Sequence, residues 1–378
     1  AAVPLLSGDP GQLLALEGRW GSTVGMSRGA PILMARGLKT YFHLSRSFLE
    51  TLLRRPVRVV RAVDGVNLEV EEGKIVGIVG ESGSGKTTLG KTIAGLYRPT
   101  AGNLLYRPSE QLAERLRAHM LPALRTNGGE LYDLTGLPER EARALRREVQ
   151  IVFQDPYGSL NPRMSIKEIL EEPLIIHEVG DQQARARRVK EVLEAVRLMP
   201  PEEFLYRFPH QLSGGQRQRV AIARALVLGP RLIVADEPVS MLDVSIRAEI
   251  LKLLLDLKRE LKLTYIFITH DLAVAGLICD AINIMYLGRI VESGPVDEVL
   301  LDPKHPYTRA LLAAVPQPEP SGRFKLKEVP ITGEIPSAVY IPSGCRFHPR
   351  CPYAWDLCQR EDPPELPVGA GRWAACWL

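Results

Sequence analysis

The residues with the clearest chemical signature are Gly80-Glu81-Ser82-Gly83-Ser84-Gly85-Lys86-Thr87, which fit the spacing G-x-x-x-x-G-K-S/T. Glycines at these positions let successive backbone N–H groups turn inward, so the loop and the helix end behind it can hold a phosphate without a side chain in the way. Lys86 is placed to reach the β- and γ-phosphates of a nucleotide, and the Thr87 hydroxyl to ligate Mg²⁺. Further along, Leu212-Ser213-Gly214-Gly215-Gln216 opens a second helix with a serine and two glycines, which is a second candidate anion site. Asp236 and Glu237 end one apolar run and His270 ends another. Four of the five cysteines, Cys345, Cys351, Cys358 and Cys376, gather near the C-terminus in the spacing C-x5-C-x6-C-x17-C.

These groups need elements to position them. Lys74 to Val79 (KIVGIV) is short, β-branched and apolar, as a buried strand should be, and Thr87 to Tyr97 carries Leu89, Ile93 and Leu96 at helical spacing. Ile32 to Phe42 and Val59 to Val70 read as two strands of an antiparallel flap before the loop. Between Thr100 and Arg147 the pattern loosens: Ala113 to Leu124 is helix-like, Thr126 to Gly129 is a turn, Glu139 to Arg147 is a charged helical stretch, and the whole reads as a surface insertion. Val149 to Phe153 is a buried strand ending at Gln154, followed by helical runs in which Val189, Val192, Leu193 and Val196 form an apolar stripe. Arg217 to Leu228 is a helix, Arg231 to Ala235 a strand, and Asp243 caps a long helix bearing Ile246, Ile250, Leu253, Leu254 and Leu257. Thr264 to Thr269 is the next strand, and Ala281 to Ser293 a hairpin turning at Leu287-Gly288. Strand and helix alternate, which predicts a mainly parallel sheet covered on both faces, with ligands at the strand C-termini where Gly80, Gln154, Asp236 and His270 fall.

Composition narrows the class. The 378 residues suffice for one large α/β domain and an appendage, and the 45% hydrophobic content is that of a folded globular chain. Lys+Arg 48 against Asp+Glu 44 leaves +4, too small a surplus to announce nucleic-acid binding. No run of about 18 apolar residues is present, so a membrane role is expected to be peripheral. The N-terminus lacks a basic start followed by an apolar core, which predicts a cytosolic, reducing location and thiols or metal ligands in place of disulfides. Residues 1–30 read as a flexible extension, and prolines beyond about residue 300 mark a linker and a small C-terminal module.

Taken in order, GESGSGKT, Gln154, LSGGQ, LIVADEP, Met241-Leu242-Asp243 and His270 resemble the nucleotide-binding subunit of an ATP-binding-cassette transporter over roughly residues 32–300. The resemblance implies a phosphate-loop NTPase core (a mainly parallel sheet with helices on both faces), with an antiparallel β flap and a helical subdomain at about 155–215, within a cassette spanning 31–300. It implies ATP bound by Tyr41, Gly80, Ser82, Gly83, Ser84, Gly85, Lys86, Thr87 and Thr88. Ser213, Gly214, Gly215, Gln216 and Asp243 would face the nucleotide of an opposing subunit. Thr87, Gln154 and Asp236 would serve Mg²⁺, Glu237 would be the base that orients the attacking water, His270 would contact the γ-phosphate, and Gln154 would sense it. Tyr41, with Phe42 adjacent, resembles the aromatic that stacks on adenine. Met241 stands where a smaller residue is commoner, and the 101–130 segment is longer than the family's usual one.

AVDGVNLEV, VFQDPYGSLNPRMS, DEPVSMLDVSI, HPYTRALLAAVP and GCRFHPRCPYAWDLC resemble the oligopeptide/dipeptide branch in particular, with 301–378 as its C-terminal module. Four clustered thiolates can hold zinc or a 4Fe-4S cluster, or remain unligated, and the spacing lacks the C-x2-C hairpins usual for structural zinc. The resemblance implies the 4Fe-4S cluster, and Cys279 reads as a core thiol. Expected partners are two integral-membrane permease subunits, a second and non-identical ATPase subunit, and an extracytoplasmic substrate-binding protein, at the cytoplasmic face of the membrane. Nickel or oligosaccharide cargo is the alternative within the branch. A soluble cassette ATPase acting on DNA or ribosomes would call for coiled coils or a second cassette, neither of which is visible, and an adenylate-type kinase would leave LSGGQ without a role.

Overall fold

The structure is a computed structural model that describes residues 30–44, 58–119, 123–126, 128–315, 331, 333–334 and 336–378. The predicted extension at 1–30 lies outside the described residues except for its last position. Strands β1 (Pro31–His43) and β2 (Val59–Glu71) pair antiparallel, with Met34 opposite Glu69 and Thr40 opposite Val63. Strand β3 (Ile75–Val79) runs into the phosphate loop, and the helix Lys86–Ile93 leaves it. That helix is shorter than the spacing predicts: it ends at Ile93, Gly95 turns the chain with φ +72°, and Leu96 is exposed.

The 101–147 stretch is corrected most. It is not a surface insertion, because β4 (Ala101–Tyr106) pairs directly with β1, and β5 (Ala123–Thr126) and β6 (Gly129–Asp133) extend the same sheet in the order β2-β1-β4-β6-β5. Leu104, Tyr106, Leu112, Leu116 and Tyr132 are buried in one apolar cluster with Val76 and Ile78 of β3. The helix-like reading of Ala113 to Leu124 holds only for Glu110–Ala118, since β5 begins at Ala123.

The larger sheet takes β7 (Val149–Val152), β8 (Leu232–Asp236), β9 (Thr264–Thr269), β10 (Ala281–Tyr286), β11 (Arg289–Pro295), β12 (Leu366–Gly369) and β13 (Arg372–Ala374) around β3. Its order is β12-β13-β11-β10-β3-β9-β8-β7; pairing is parallel from β10 to β7 and antiparallel from β10 to β12. Strands buried on both faces read as continuous apolar runs because alternate side chains enter different cores. Ile75, Ile233, Tyr265 and Phe267 join one cluster, together with Val189, Val192, Leu193 and Val196 of the helix Gln182–Ala195 and its end. Val76, Val234, Ile266 and Ile268 join the cluster under the antiparallel sheet. The hairpin β12–β13 continues the central sheet through β11, so the C-terminal segment is built onto the edge of the cassette.

The helix after the loop lies very close to this sheet. A Cβ added at Gly90 would come within 2.5 Å of Ile268 Cδ1 and 3.0 Å of Val234 Cγ1. Gly90→Val should therefore lower stability by about 1–3 kcal/mol through overpacking, read as a lower thermal midpoint; an unchanged midpoint would refute the close approach.

Candidate active site

The carboxyl edge of the parallel strands brings most of the expected residues together. Gly80 ends β3 against β10, where a Cβ would meet the Met285 carbonyl at 2.1 Å, and Gly85 turns the chain into the helix with φ +104°. Both positions require glycine, for space at the first and for backbone angle and space at the second. The helix start leaves amide N–H groups without intrahelical partners and adds the positive end of its dipole. Lys86 is buried, and its Nζ donates to the carbonyls of Gly80 at 2.7 Å and Glu81 at 2.8 Å. Burial lowers its pKa, opposed by the carboxylates of Glu237, Asp236 and Glu81. Thr87 Oγ1 donates to Asp236 Oδ1 at 3.0 Å. A hydroxyl beside a carboxylate is a set of hard oxygen donors suited to Mg²⁺. Ser84 Oγ is buried with no hydrogen-bond partner, Ser82 is exposed, and Thr88 uses its carbonyl to accept from Thr92 Oγ1 at 2.8 Å.

Glu237 follows β8 in the left-handed backbone region, φ +46°, a conformation that costs a non-glycine residue about 1–2 kcal/mol. Its N–H donates to the Ile268 carbonyl at 3.0 Å, and its carbonyl accepts from Ser240 Oγ at 3.1 Å, which hold the turn. Strain of this kind collects at functional sites. The turn aims the carboxylate so that Oε2 accepts from Gln154 Nε2 at 3.1 Å and lies 3.1 Å from His270 Nδ1. Three strand ends thus converge on one carboxylate.

Other expected residues lie apart from this group. Ser213 caps the helix Gly214–Leu226 in a reciprocal pair with Gln216: the serine hydroxyl accepts from the Gln216 N–H at 3.3 Å, and Gln216 Oε1 accepts from the Ser213 N–H at 3.0 Å. Gly215 packs against Ile246, where a Cβ would stand 2.7 Å from Cγ2. Among the described residues, no hydrogen bond or ion pair joins Ser213, Gly214, Gly215 or Gln216 to the phosphate loop. Asp243 is exposed and precedes the helix Val244–Leu261 without a side-chain cap bond. The Tyr41 hydroxyl donates to Asp64, which also accepts from Arg346, while Phe42 packs edge-on to Tyr97 at 5.2 Å. Burial by itself would raise the Asp64 carboxyl, yet the Tyr41 and Arg346 donors hold it below the usual range. Burial and the Asp64 bond push the Tyr41 hydroxyl up to about 12. Arg346 and Asp64 are 282 residues apart, and sequence periodicity carries no signal for such a pair.

Cys345, Cys351, Cys358 and Cys376 line one small pocket with Phe347 and Trp377, and all four are free thiols. The metal centre expected at these thiols is not formed by this geometry: among the described residues, no group of three or more His, Cys, Asp or Glu side chains is placed to hold a metal ion. Burial favours the neutral thiols, pushing Cys345 up to about 11 and raising Cys351 and Cys376. Cys279 is a buried core thiol pushed up to about 12.

Asp236 is a buried charge whose ionised form the site disfavours. Burial raises its pKa above the usual carboxylate value, helped by the Glu237 charge and opposed by Thr87, Lys91 and Lys86. A raised carboxylate destabilises the fold while ionised, so its cost is present above the folded pKa and disappears as pH falls through it. Asp236→Asn should raise the thermal midpoint by a few degrees at neutral pH, and the gain should shrink on acidification. An equal or lower midpoint at neutral pH would contradict this assignment.

Comparison with known proteins agrees with the geometry. The family described as ABC transporter matches residues 63–240, and that described as oligopeptide/dipeptide transporter, C-terminal region, matches 291–358. The chain is 42% identical over 352 residues to a putative oligopeptide transport ATP-binding protein, YkfD, of Bacillus subtilis, covering 93% of this chain and 96% of that one. It is 43% identical over 354 residues to the dipeptide transport ATP-binding protein DppF of Haemophilus influenzae, covering 93% and 98%. Among solved structures, the ATP-binding cassette MJ0796, dimeric and bound to ADP and Pi, matches with a TM-score of 0.54 at 29% identity, over 70% of this chain and 98% of that one. The chain belongs to the ABC transporter ATP-binding proteins, in their oligopeptide/dipeptide branch.

Proposed function

We propose that the chain is the ATP-hydrolysing subunit that energises import of oligopeptides or dipeptides through a membrane permease. The observation that carries the reading is the single carboxylate of Glu237, within 3.1 Å of both Gln154 Nε2 and His270 Nδ1, next to the Lys86 cradle and the Thr87–Asp236 pair. The names of the two relatives support the cargo class.

In this reading Gly80 and Ser82 to Thr88 hold the phosphates, and Lys86 exchanges its two loop carbonyls for phosphate oxygens while keeping its charge buried. Thr87, Asp236 and Gln154 would hold Mg²⁺, and the ion would neutralise charge developing on the transferred phosphoryl group. Glu237 accepts the hydrogen bond of the attacking water and aligns it with the γ-phosphorus, as positioning is most of what phosphoryl transfer demands. His270 holds the Glu237 carboxylate in place and faces the γ-phosphate. Gln154, bound to the same carboxylate, links the phosphate to the helices that follow it. Tyr41, anchored by Asp64, is the candidate adenine neighbour.

Ser213, Gly214, Gly215, Gln216 and Asp243 serve the nucleotide of a second ATPase subunit, which is supported by their separation from this chain's own loop and by the exposed Met241 and Val244 beside Asp243. A non-identical second subunit fits the branch. Exposed Tyr157, Ile175, Ile176, Met199 and Tyr206 on the helical segment 155–215 suit docking to two membrane permease subunits at their cytoplasmic face, with an extracytoplasmic binding protein supplying the cargo. Among the described residues, no helix is long and apolar enough to cross a membrane. The division into a cassette at 31–300 and a C-terminal module at 301–378 belongs to the same proposal.

Glu237→Gln should abolish steady-state ATP turnover while preserving ATP-dependent pairing of subunits in size-exclusion chromatography; normal turnover would remove Glu237 from its role. A 4Fe-4S cluster at Cys345, Cys351, Cys358 and Cys376 is the finer reading of the C-terminal pocket, supported by the convergence of four free thiols although their present spacing does not hold a metal. Protein purified without oxygen should then contain iron and acid-labile sulfide in equal amounts, with stoichiometric zinc or neither element as the refuting result.

A further inference from the structure

We infer that Arg350 and Tyr307, both from the C-terminal segment, are positioning residues for the phosphate-binding loop, acting through Glu81; the inference rests on the loop's role in binding ATP. Glu81 is the second residue of the loop, and each of its polar groups is occupied. Its N–H donates to the Tyr307 hydroxyl at 2.9 Å. Its carbonyl accepts from Lys86 Nζ at 2.8 Å and from the Ser84 N–H at 3.2 Å. Its carboxylate takes both arms of the Arg350 guanidinium, Nη1 to Oε2 at 2.7 Å and Nη2 to Oε1 at 3.0 Å. Arg350 and Glu81 are separated by 269 residues.

The clamp is itself rigid. Tyr307 is fully buried and packs on Tyr286 with ring centroids 4.7 Å apart and on Phe347 at 5.4 Å. Arg350 is buried, lies 5.8 Å from the Tyr286 ring centroid and 5.9 Å from that of Phe347, and sits in the short turn His348–Arg350. A two-armed guanidinium fixes orientation as well as charge, which a lysine cannot do equally.

Two consequences follow for nucleotide binding. The Glu81 carboxylate stands in a loop that receives a polyphosphate, and without Arg350 its charge would repel the ligand. The Glu81 carbonyl is one of the two groups on which Lys86 rests, so a displaced Glu81 would also release the ammonium from its waiting position. Arg350 thus acts on ATP affinity through Glu81 without touching the reacting atoms, and the effect should fall on binding more than on the chemical step.

The test measures MgATP affinity by fluorescence titration and turnover at saturating ATP, on the full chain. Wild-type binding establishes the site itself, and its absence would overturn the ATP reading and this inference together. Arg350→Gln should weaken MgATP about tenfold, which is ~1.4 kcal/mol, with turnover at saturation changed less than about twofold. Arg350→Lys, which keeps the charge without the two-armed contact, should remain about threefold weaker than wild type, because the orientation of Glu81 is lost. Tyr307→Phe, which removes one hydroxyl and keeps the ring packing, should weaken binding about threefold and serves if Arg350→Gln does not fold. Wild-type affinity in Arg350→Gln, or in Tyr307→Phe where that variant stands in, would overturn the inference. So would an Arg350→Lys variant that binds MgATP as tightly as wild type.

Discussion

A buried ammonium at the mouth of an apolar strand is the constraint on which the site depends. Lys86 is held against two loop carbonyls with water largely excluded, and burial favours its neutral form. Three carboxylates, Glu237, Asp236 and Glu81, oppose that tendency. β3 lies between β10 and β9; β8, on the far side of β9, ends in Asp236 with Glu237 next to it, and the loop itself supplies Glu81. Lys86 donating to loop carbonyls, a raised Asp236 beside Thr87, and a buried Ser84 hydroxyl are the donor and charge set that a polyphosphate and Mg²⁺ would fit.

The parallel sheet serves this chemistry through its alternation. Each central strand sends one set of side chains into the core shared with the helical segment and the other into the core under the antiparallel sheet, so it is fixed on both faces. A strand so fixed can hold a strained residue at its end. Glu237 in the left-handed region is tolerated because its N–H and carbonyl are both bonded, and its carboxylate is thereby aimed at Gln154 and His270.

The C-terminal segment belongs mechanically to the same site. Its hairpin extends the central sheet through β11, Arg346 reaches the Asp64–Tyr41 pair, and Arg350 reaches Glu81. Seven residues from Cys345 to Cys351 carry two of the thiol-pocket cysteines together with Arg346 and Arg350, which reach Asp64 and Glu81.

Local sequence by itself determined the cradle, the signature turn, the strand ends bearing Gln154, Asp236, Glu237 and His270, and the parallel core. All of these depend on short-range spacing, glycine backbone freedom and apolar runs, which are visible within a few residues. It placed the turn at Thr126 to Gly129 and the helix over Glu139 to Arg147 but missed the strands Ala101–Tyr106, Ala123–Thr126 and Gly129–Asp133, whose mixed polarity is buried only by pairing into the sheet of β1, and it extended the helix after the loop to Tyr97, past the exposed Leu96. Only the tertiary structure decided that Arg350 and Tyr307 hold Glu81, that Arg346 meets Asp64, and that four cysteines share a pocket without metal-ligand spacing. Such pairs join residues hundreds of positions apart, and side-chain charge or periodicity carries no record of which partner the fold will bring.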